Sequence, residues 1–109
     1  MTELVVTETK DQRKERMIER ADGFVAFPGG IGTHEEVFDV LGRAKHGFHR
    51  KPCGLLNVEG YYDRLVAHLD HAEREGFLSG PQRDLVLVES DAAALLEAFE
   101  TYRSPIGDA

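Results

Sequence analysis

Short apolar runs that favour β-structure alternate along this chain with segments of helical periodicity. The apolar runs cover residues 4–6, 24–27, 53–58 and 85–88. The helical segments cover residues 10–21, 37–44, 61–75 and 91–102. Because two strands that are connected by a helix usually lie parallel in the same sheet, this order predicts an α/β fold with a parallel sheet and flanking helices. We expect one domain over residues 1–103 and a loose tail over 104–109.

The predicted sheet has few strands and begins almost at the first residue of the chain. A parallel sheet needs cover on both faces, and an exposed edge strand invites pairing with another chain. We therefore expect either a homodimer or higher homo-oligomer, or a fold that is incomplete at its N-terminal side because a preceding segment is missing.

Charge and composition exclude several classes of protein. The 109 residues include 13 basic and 20 acidic ones, a net charge of −7 without a basic patch, which argues against nucleic-acid binding. No apolar run approaches the roughly 20 residues that span a membrane. Cys53 is the single cysteine, so we expect a reducing, cytoplasmic location and an inert core thiol.

The strongest candidate for a binding site is the turn over residues 28–36, which reads PGGIGTHEE. It follows a predicted strand and leads into a predicted helix. Glycines allow close approach of a ligand to the backbone, and free amides at a helix start attract anions. No lysine follows Gly32, and Glu35 stands where a third glycine would complete the dinucleotide fingerprint. The turn therefore predicts a site for a phosphorylated small molecule, but not a standard nucleotide motif.

Two interpretations of the charged residues near this turn remain open. Thr33 and Glu36 have the spacing of a capping box, in which Thr33 caps the helix and Glu36 bonds back to the Thr33 amide. Glu36 is equally a candidate catalytic carboxylate. Arg13 and Lys14 lie on a solvated helix face or, if the first two strands are neighbours, at the same cleft as Glu36.

The histidines give a weaker signal. His46 and His49 lie in a loop-like stretch, whereas His68 and His71 are one helical turn apart. The latter pair could bind a metal, but no third ligand has a suitable spacing, so surface histidines and no metal site are favoured. Asp39 could support the site from one turn beyond Glu36 or occupy a solvated helix position.

Three stretches together resemble one known family. They are Arg13-Lys14, the PGGIGTHEE turn, and residues 51–62, which read KPCGLLNVEGYY. This combination is similar to the LOG family, the cytokinin riboside monophosphate phosphoribohydrolases, which have long carried the label of lysine decarboxylases. The resemblance runs over about residues 4–102. It implies a Rossmann-like fold, homo-oligomers, and hydrolysis of the N-glycosidic bond of an AMP-like nucleoside monophosphate to an adenine-type base and ribose 5-phosphate.

The resemblance also implies roles for particular residues. The phosphate would be held by five residues, Lys14, Gly29, Gly30, Gly32 and Thr33. Arg13 and Glu36 would be the catalytic pair. No cofactor is implied, and a decarboxylase fits poorly because nothing indicates a pyridoxal-phosphate site with its Schiff-base lysine.

Members of this family usually have a further half-domain before the first strand seen here. We therefore expect an N-terminally shortened protein in which hydrolase activity is impaired. The alternative is a non-catalytic module that binds a nucleotide or phosphate, or that oligomerises, with a vestigial site.

Overall fold

The computed structural model describes residues 4–6 and 20–106, and these contain a four-stranded sheet. The strands are β1 (Leu4–Val6), β2 (Gly23–Ala26), β3 (Cys53–Leu56) and β4 (Val86–Glu89). Strands that follow one another in the chain are neighbours in the sheet, in the order β1-β2-β3-β4, and every pair is parallel. The predicted α/β class with a Rossmann-like parallel sheet is confirmed.

Helices follow β2, β3 and β4 in the chain. Those in the described residues are α1 (Ile31–Lys45), α2 (Asp63–Arg74), α3 (Gly80–Arg83) and α4 (Ala92–Glu100). The helix predicted over residues 10–21 lies mostly outside the described residues. None of the helices in residues 20–106 is long and apolar enough to cross a membrane.

Local signals at the helix ends were mostly reliable. Asp91 caps α4, because its carboxylate accepts a hydrogen bond from the Ala94 amide at 2.8 Å. Gly76, with φ at +83°, follows the end of α2. The start of α2 was wrongly placed at Tyr61. A 3₁₀ turn (Val58–Gly60) comes first, and the helix begins at Asp63.

The larger core lies on the face of the sheet that α1 and α2 cover. Phe24, Cys53 and Val86 occupy paired register positions on β2, β3 and β4, and all three are buried. Val37 and Val40 of α1 pack into the same cluster. These apolar residues of α1 therefore lie on its core-facing side.

On the opposite face, α4 packs very close to the strands. A Cβ added to Gly54 would lie 2.5 Å from Leu95 Cδ1, and one added to Gly23 would lie 2.9 Å from Phe99 Cε2. Glycine at these two strand positions therefore allows the helix to approach the sheet. With α4 on this face and α1 and α2 on the other, the sheet carries helices on both sides.

Candidate functional site

The helix after the glycine turn begins earlier than the sequence predicts. Its N-cap is Gly30, and no side chain makes a capping hydrogen bond there. Thr33 is thus the third residue of the helix rather than its cap, so the predicted capping box of Thr33 and Glu36 is wrong. His34 fixes the earlier start, because its amide donates to the Gly30 carbonyl at 3.1 Å and its Nδ1–H donates to the same oxygen at 2.6 Å.

This start changes what the first helical turn offers. Amides at a helix N-terminus have no partner within the helix and carry a partial positive charge. Since no side chain caps this end of α1, the first-turn amides of Ile31, Gly32 and Thr33 remain suited to an anionic ligand.

The three glycines of the turn do different things. Gly29 packs tightly against the Thr33 side chain, since a Cβ added to Gly29 would lie 2.2 Å from Thr33 Oγ1. Gly30 and Gly32 have open space where a Cβ would be. Packing against Thr33 therefore leaves no room for a side chain at Gly29. At Gly30 and Gly32 the absence of a side chain leaves open space beside the backbone.

Two tyrosines from the loop after β3 hold the glycine turn. Tyr61 donates its hydroxyl to the Gly29 carbonyl, and Tyr62 donates its hydroxyl to the Phe27 carbonyl at 2.6 Å. Sequence analysis assigned Tyr61 to the helical segment over residues 61–75 and missed both contacts. The available signal was the position of this loop, since the carboxyl ends of neighbouring parallel strands meet at one edge of the sheet.

Hydrogen bonds within the tyrosine loop fix its shape. Asn57 Oδ1 accepts a hydrogen bond from the Tyr62 amide at 2.7 Å, and Asn57 Nδ2 donates to Asp63 Oδ1 at 2.8 Å. Glu59 and Gly60 adopt positive φ values of 50° and 74°. Asp63 packs so closely on Gly60 that an added Cβ would lie 2.6 Å from its Oδ2. The tyrosines are thus presented by a well-defined loop.

An open cleft of about 480 Å³ lies beside the turn. Its lining residues are Gly29, Gly30, Ile31, His34, Glu35, Phe38 and Tyr61. The structure therefore brings Gly29 and Gly30 to a cleft, while Gly32 and Thr33 belong to the first turn of α1 beside it.

Glu36 lies on a different side of α1 from this cleft. Only 6% of its surface is exposed, and it shares the inward side of the helix with Val40, one turn further on. Glu35, its neighbour, is exposed. Arg13 and Lys14 lie outside the described residues, so the pairing of Arg13 with Glu36 stays a prediction.

The remaining candidate residues have structural surroundings. His68 and His71 are exposed, as predicted. Within residues 20–106 no group of three or more His, Cys, Asp or Glu side chains could hold a metal ion. Asp39 accepts a hydrogen bond from Arg43 Nε at 3.2 Å, as an ion pair on α1. Burial raises the pKa of the Cys53 thiol to about 12, which fits the expected inert core thiol.

His49 is buried although it lies in a loop. Its Nδ1 accepts a hydrogen bond from the Lys51 amide at 3.1 Å, so its Nε2–H donates to the Val40 carbonyl at 2.9 Å. This arrangement requires the neutral ring. Burial lowers the pKa of His49, and the positive charges of Lys51 and Arg43 lower it further.

Comparisons with known proteins agree with the family resemblance of the sequence motifs. A family model described as "Possible lysine decarboxylase" matches residues 1–99. A protein from Oryza sativa subsp. japonica named a probable cytokinin riboside 5'-monophosphate phosphoribohydrolase is 47% identical over 98 residues, which cover 90% of this chain and 40% of that protein. An Arabidopsis thaliana protein named a cytokinin riboside 5'-monophosphate phosphoribohydrolase is 43% identical over 100 residues, or 92% of this chain and 47% of that protein.

A second Arabidopsis thaliana protein of that name is 46% identical over 91 residues, which cover 84% of this chain and 42% of that protein. The chain thus spans less than half the length of these curated relatives. Their names describe hydrolases of a phosphoriboside and not decarboxylases, in agreement with the class that the motifs indicate.

Proposed function

The chain belongs to the LOG family, and on that premise we propose that it acts in hydrolysing the N-glycosidic bond of a nucleoside 5'-monophosphate. The products would be an adenine-type base and ribose 5-phosphate. The names of the relatives support a cytokinin riboside monophosphate as the substrate class.

The glycine turn is the proposed phosphate site. The turn residues Gly29, Gly30, Gly32 and Thr33 would surround the phosphate, with Lys14 adding a positive charge. The open space at Gly30 and the first turn of α1 without a side-chain cap support this role. A phosphate there would interact favourably with the helix dipole as well as with the amides.

Burial of Glu36 is the observation that best supports catalysis. Taking a carboxylate out of water is unfavourable, and the folded chain buries Glu36 to 6% exposure, six residues after the Gly30 N-cap of α1, while leaving Glu35 in solvent. Cleavage of a ribosyl C–N bond develops positive charge on the sugar, which a carboxylate stabilises while orienting the attacking water. Arg13, always cationic, would stabilise negative charge on the departing base or hold the phosphate.

We also propose a homodimer or higher homo-oligomer in a cytoplasmic location. Three large apolar side chains, Ile31, Phe48 and Phe77, are 89%, 75% and 84% exposed. Side chains of this kind are favoured at subunit contacts. Analytical ultracentrifugation tests the oligomer, and a purely monomeric chain at micromolar concentration would contradict it.

Release of free base from a nucleotide tests the hydrolase. We would incubate the chain with AMP and with isopentenyl-AMP and quantify the base by chromatography. Glu36→Gln should lower the rate by about 10²-fold or more, since the loss of a catalytic carboxylate removes charge stabilisation in the transition state. Glu97→Gln, the same change on the exposed side of α4, is the matched control and should leave the rate unchanged.

The alternative function makes a different prediction for the same assay. Release no greater than that of an Arg13→Ala, Glu36→Gln double variant would exclude catalysis. Saturable AMP binding without turnover would then favour the non-catalytic nucleotide-binding module, and no binding at all would favour an oligomerising module.

A further inference from the structure

Two adjacent tyrosine hydroxyls bond to backbone carbonyl groups, one within the glycine turn and one on Phe27, the residue before it. Tyr61 and Tyr62 bond to residues 32 and 35 positions earlier in the chain, Gly29 and Phe27 respectively. The two peptide units that accept these hydrogen bonds differ in whether they also carry an N–H group. The peptide after Phe27 leads to Pro28, which has no N–H, whereas the peptide after Gly29 leads to the Gly30 N–H.

Peptide geometry couples the Tyr61 hydrogen bond to the direction of the Gly30 amide. The described residues contain no cis peptide bond, so the Gly29 carbonyl and the Gly30 N–H point in opposite directions. A peptide unit between two glycines rotates with little steric resistance, because neither residue has a Cβ. The hydroxyl of Tyr61 therefore selects one of the orientations that this flexible unit could adopt.

The surroundings of the two tyrosines keep the donors in place. Their rings pack edge to face with centroids 5.0 Å apart. Tyr62 is 2% exposed, and Asn57 holds its amide. Desolvation by burial raises the pKa of Tyr62, so its hydroxyl stays protonated as a donor at neutral pH. Tyr61 is half exposed and lines the cleft together with Gly29 and Gly30.

We propose that Tyr61 is a positioning residue for the phosphate of the substrate, because its bond to the Gly29 carbonyl directs the Gly30 amide for anion binding. The inference rests on the proposed function, which places the substrate phosphate at this turn. Tyr62 has a separate task, since its bond to the Phe27 carbonyl redirects no amide and contributes to stability alone.

The test uses ¹H–¹⁵N NMR spectra of the whole chain during titration with inorganic phosphate and with ribose 5-phosphate. In the wild type the Gly30 amide resonance should shift and saturate. Tyr61→Phe should weaken phosphate binding about 10-fold or more, because a Gly30 amide that is no longer directed would lose its hydrogen bond to the charged phosphate. Tyr61→Phe should keep the wild-type spectrum outside the turn, because only an exposed side chain loses its hydroxyl.

Two matched variants separate positioning from folding. Tyr62→Phe should unfold at a lower temperature but bind phosphate within about 2-fold of the wild type, because no amide changes direction. Tyr102→Phe, the same change in the third tyrosine, should alter neither phosphate affinity nor the Gly30 resonance.

Several results would overturn the proposal. These are a Gly30 amide that does not respond to phosphate in the wild type, an unchanged affinity in Tyr61→Phe, an equal loss in Tyr62→Phe, or a Tyr61→Phe chain that does not fold. Failure of the hydrolase proposal would give a result different from failure of this one. Phosphate binding that depends on Tyr61, without release of base from AMP, would remove the catalytic proposal and leave this one standing.

Discussion

Replacing two adjacent glycines by alanine, one at a time, should affect stability in one case and phosphate binding in the other. Gly29→Ala should destabilise the chain, and Gly30→Ala should leave stability almost unchanged while weakening phosphate binding. The reason is the space around each residue. A Cβ on Gly29 would lie 2.2 Å from Thr33 Oγ1 and 2.9 Å from Thr33 Cβ, whereas one on Gly30 meets nothing within 4 Å.

The size of the effect follows from this crowding. Thr33 is β-branched and sits in the first turn of α1, so its rotamers are restricted and it moves away only with the backbone. Overpacking of this kind typically costs about 1–3 kcal/mol. A loss of about 2 kcal/mol in the free energy of unfolding corresponds to a fall in Tm of roughly 8–16 °C for a domain of this size. Gly30→Ala should stay within about 0.5 kcal/mol, as most exposed substitutions do.

Thermal unfolding followed by circular dichroism at 222 nm measures both variants, and phosphate titration follows in the same samples. The double variant Gly29→Ala, Thr33→Ala should recover part of the stability, because it removes the contact with Oγ1 and leaves the one with Cβ. A Tm of Gly29→Ala within 2 °C of the wild type, or equal losses in the two single variants, would refute the packing argument.

Three further predictions concern buried groups. Because the pKa of His49 is lowered in the folded state from its ordinary 6.5, the unfolded chain takes up the proton first, and the free energy of unfolding should fall as pH drops below 6.5, by at most about 1.4 kcal/mol per pH unit from this group. Urea unfolding at pH 7.5 and 5.5 should show a smaller fall for His49→Gln than for the wild type, and equal falls would contradict this. Cys53 should react with a thiol reagent at least about 10²-fold faster in urea than in the native chain, since its pKa of about 12 keeps the thiol protonated, and fast native labelling would disprove this. Gly54→Ala should cost about 1–3 kcal/mol by displacing Leu95, and a melting curve like that of the wild type would show that α4 can move aside.

The candidate site could be predicted in part. The glycine turn was found because a strand, a glycine pair and a helical segment are consecutive in the chain, and Gly29 and Gly30 do line a cleft. The assignment of Thr33 as a cap was wrong because the Thr-x-x-Glu spacing is a local pattern that also fits the interior of a helix. His34, through two hydrogen bonds to the Gly30 carbonyl, begins the helix three residues earlier.

The contacts of the two tyrosines with the glycine turn could not be found this way. They join residues 32 and 35 positions apart, and no periodicity in the chain records such a distance. The burial of His49 was missed for the same reason. A loop residue is usually exposed, and here the carbonyl of Val40 supplies the partner that makes burial of a polar ring acceptable.

The amino-acid sequence by itself determined the parallel sheet, the alternation of strands and helices, and the ends of helices such as the one that Asp91 caps. These depend on residue periodicity and on hydrogen bonds between residues close together in the chain. The tertiary structure alone decided that Glu36 is buried while Glu35 is exposed, and that Tyr61 holds Gly29. Which side of a helix meets the sheet, and which loops meet at its edge, depend on packing between distant segments.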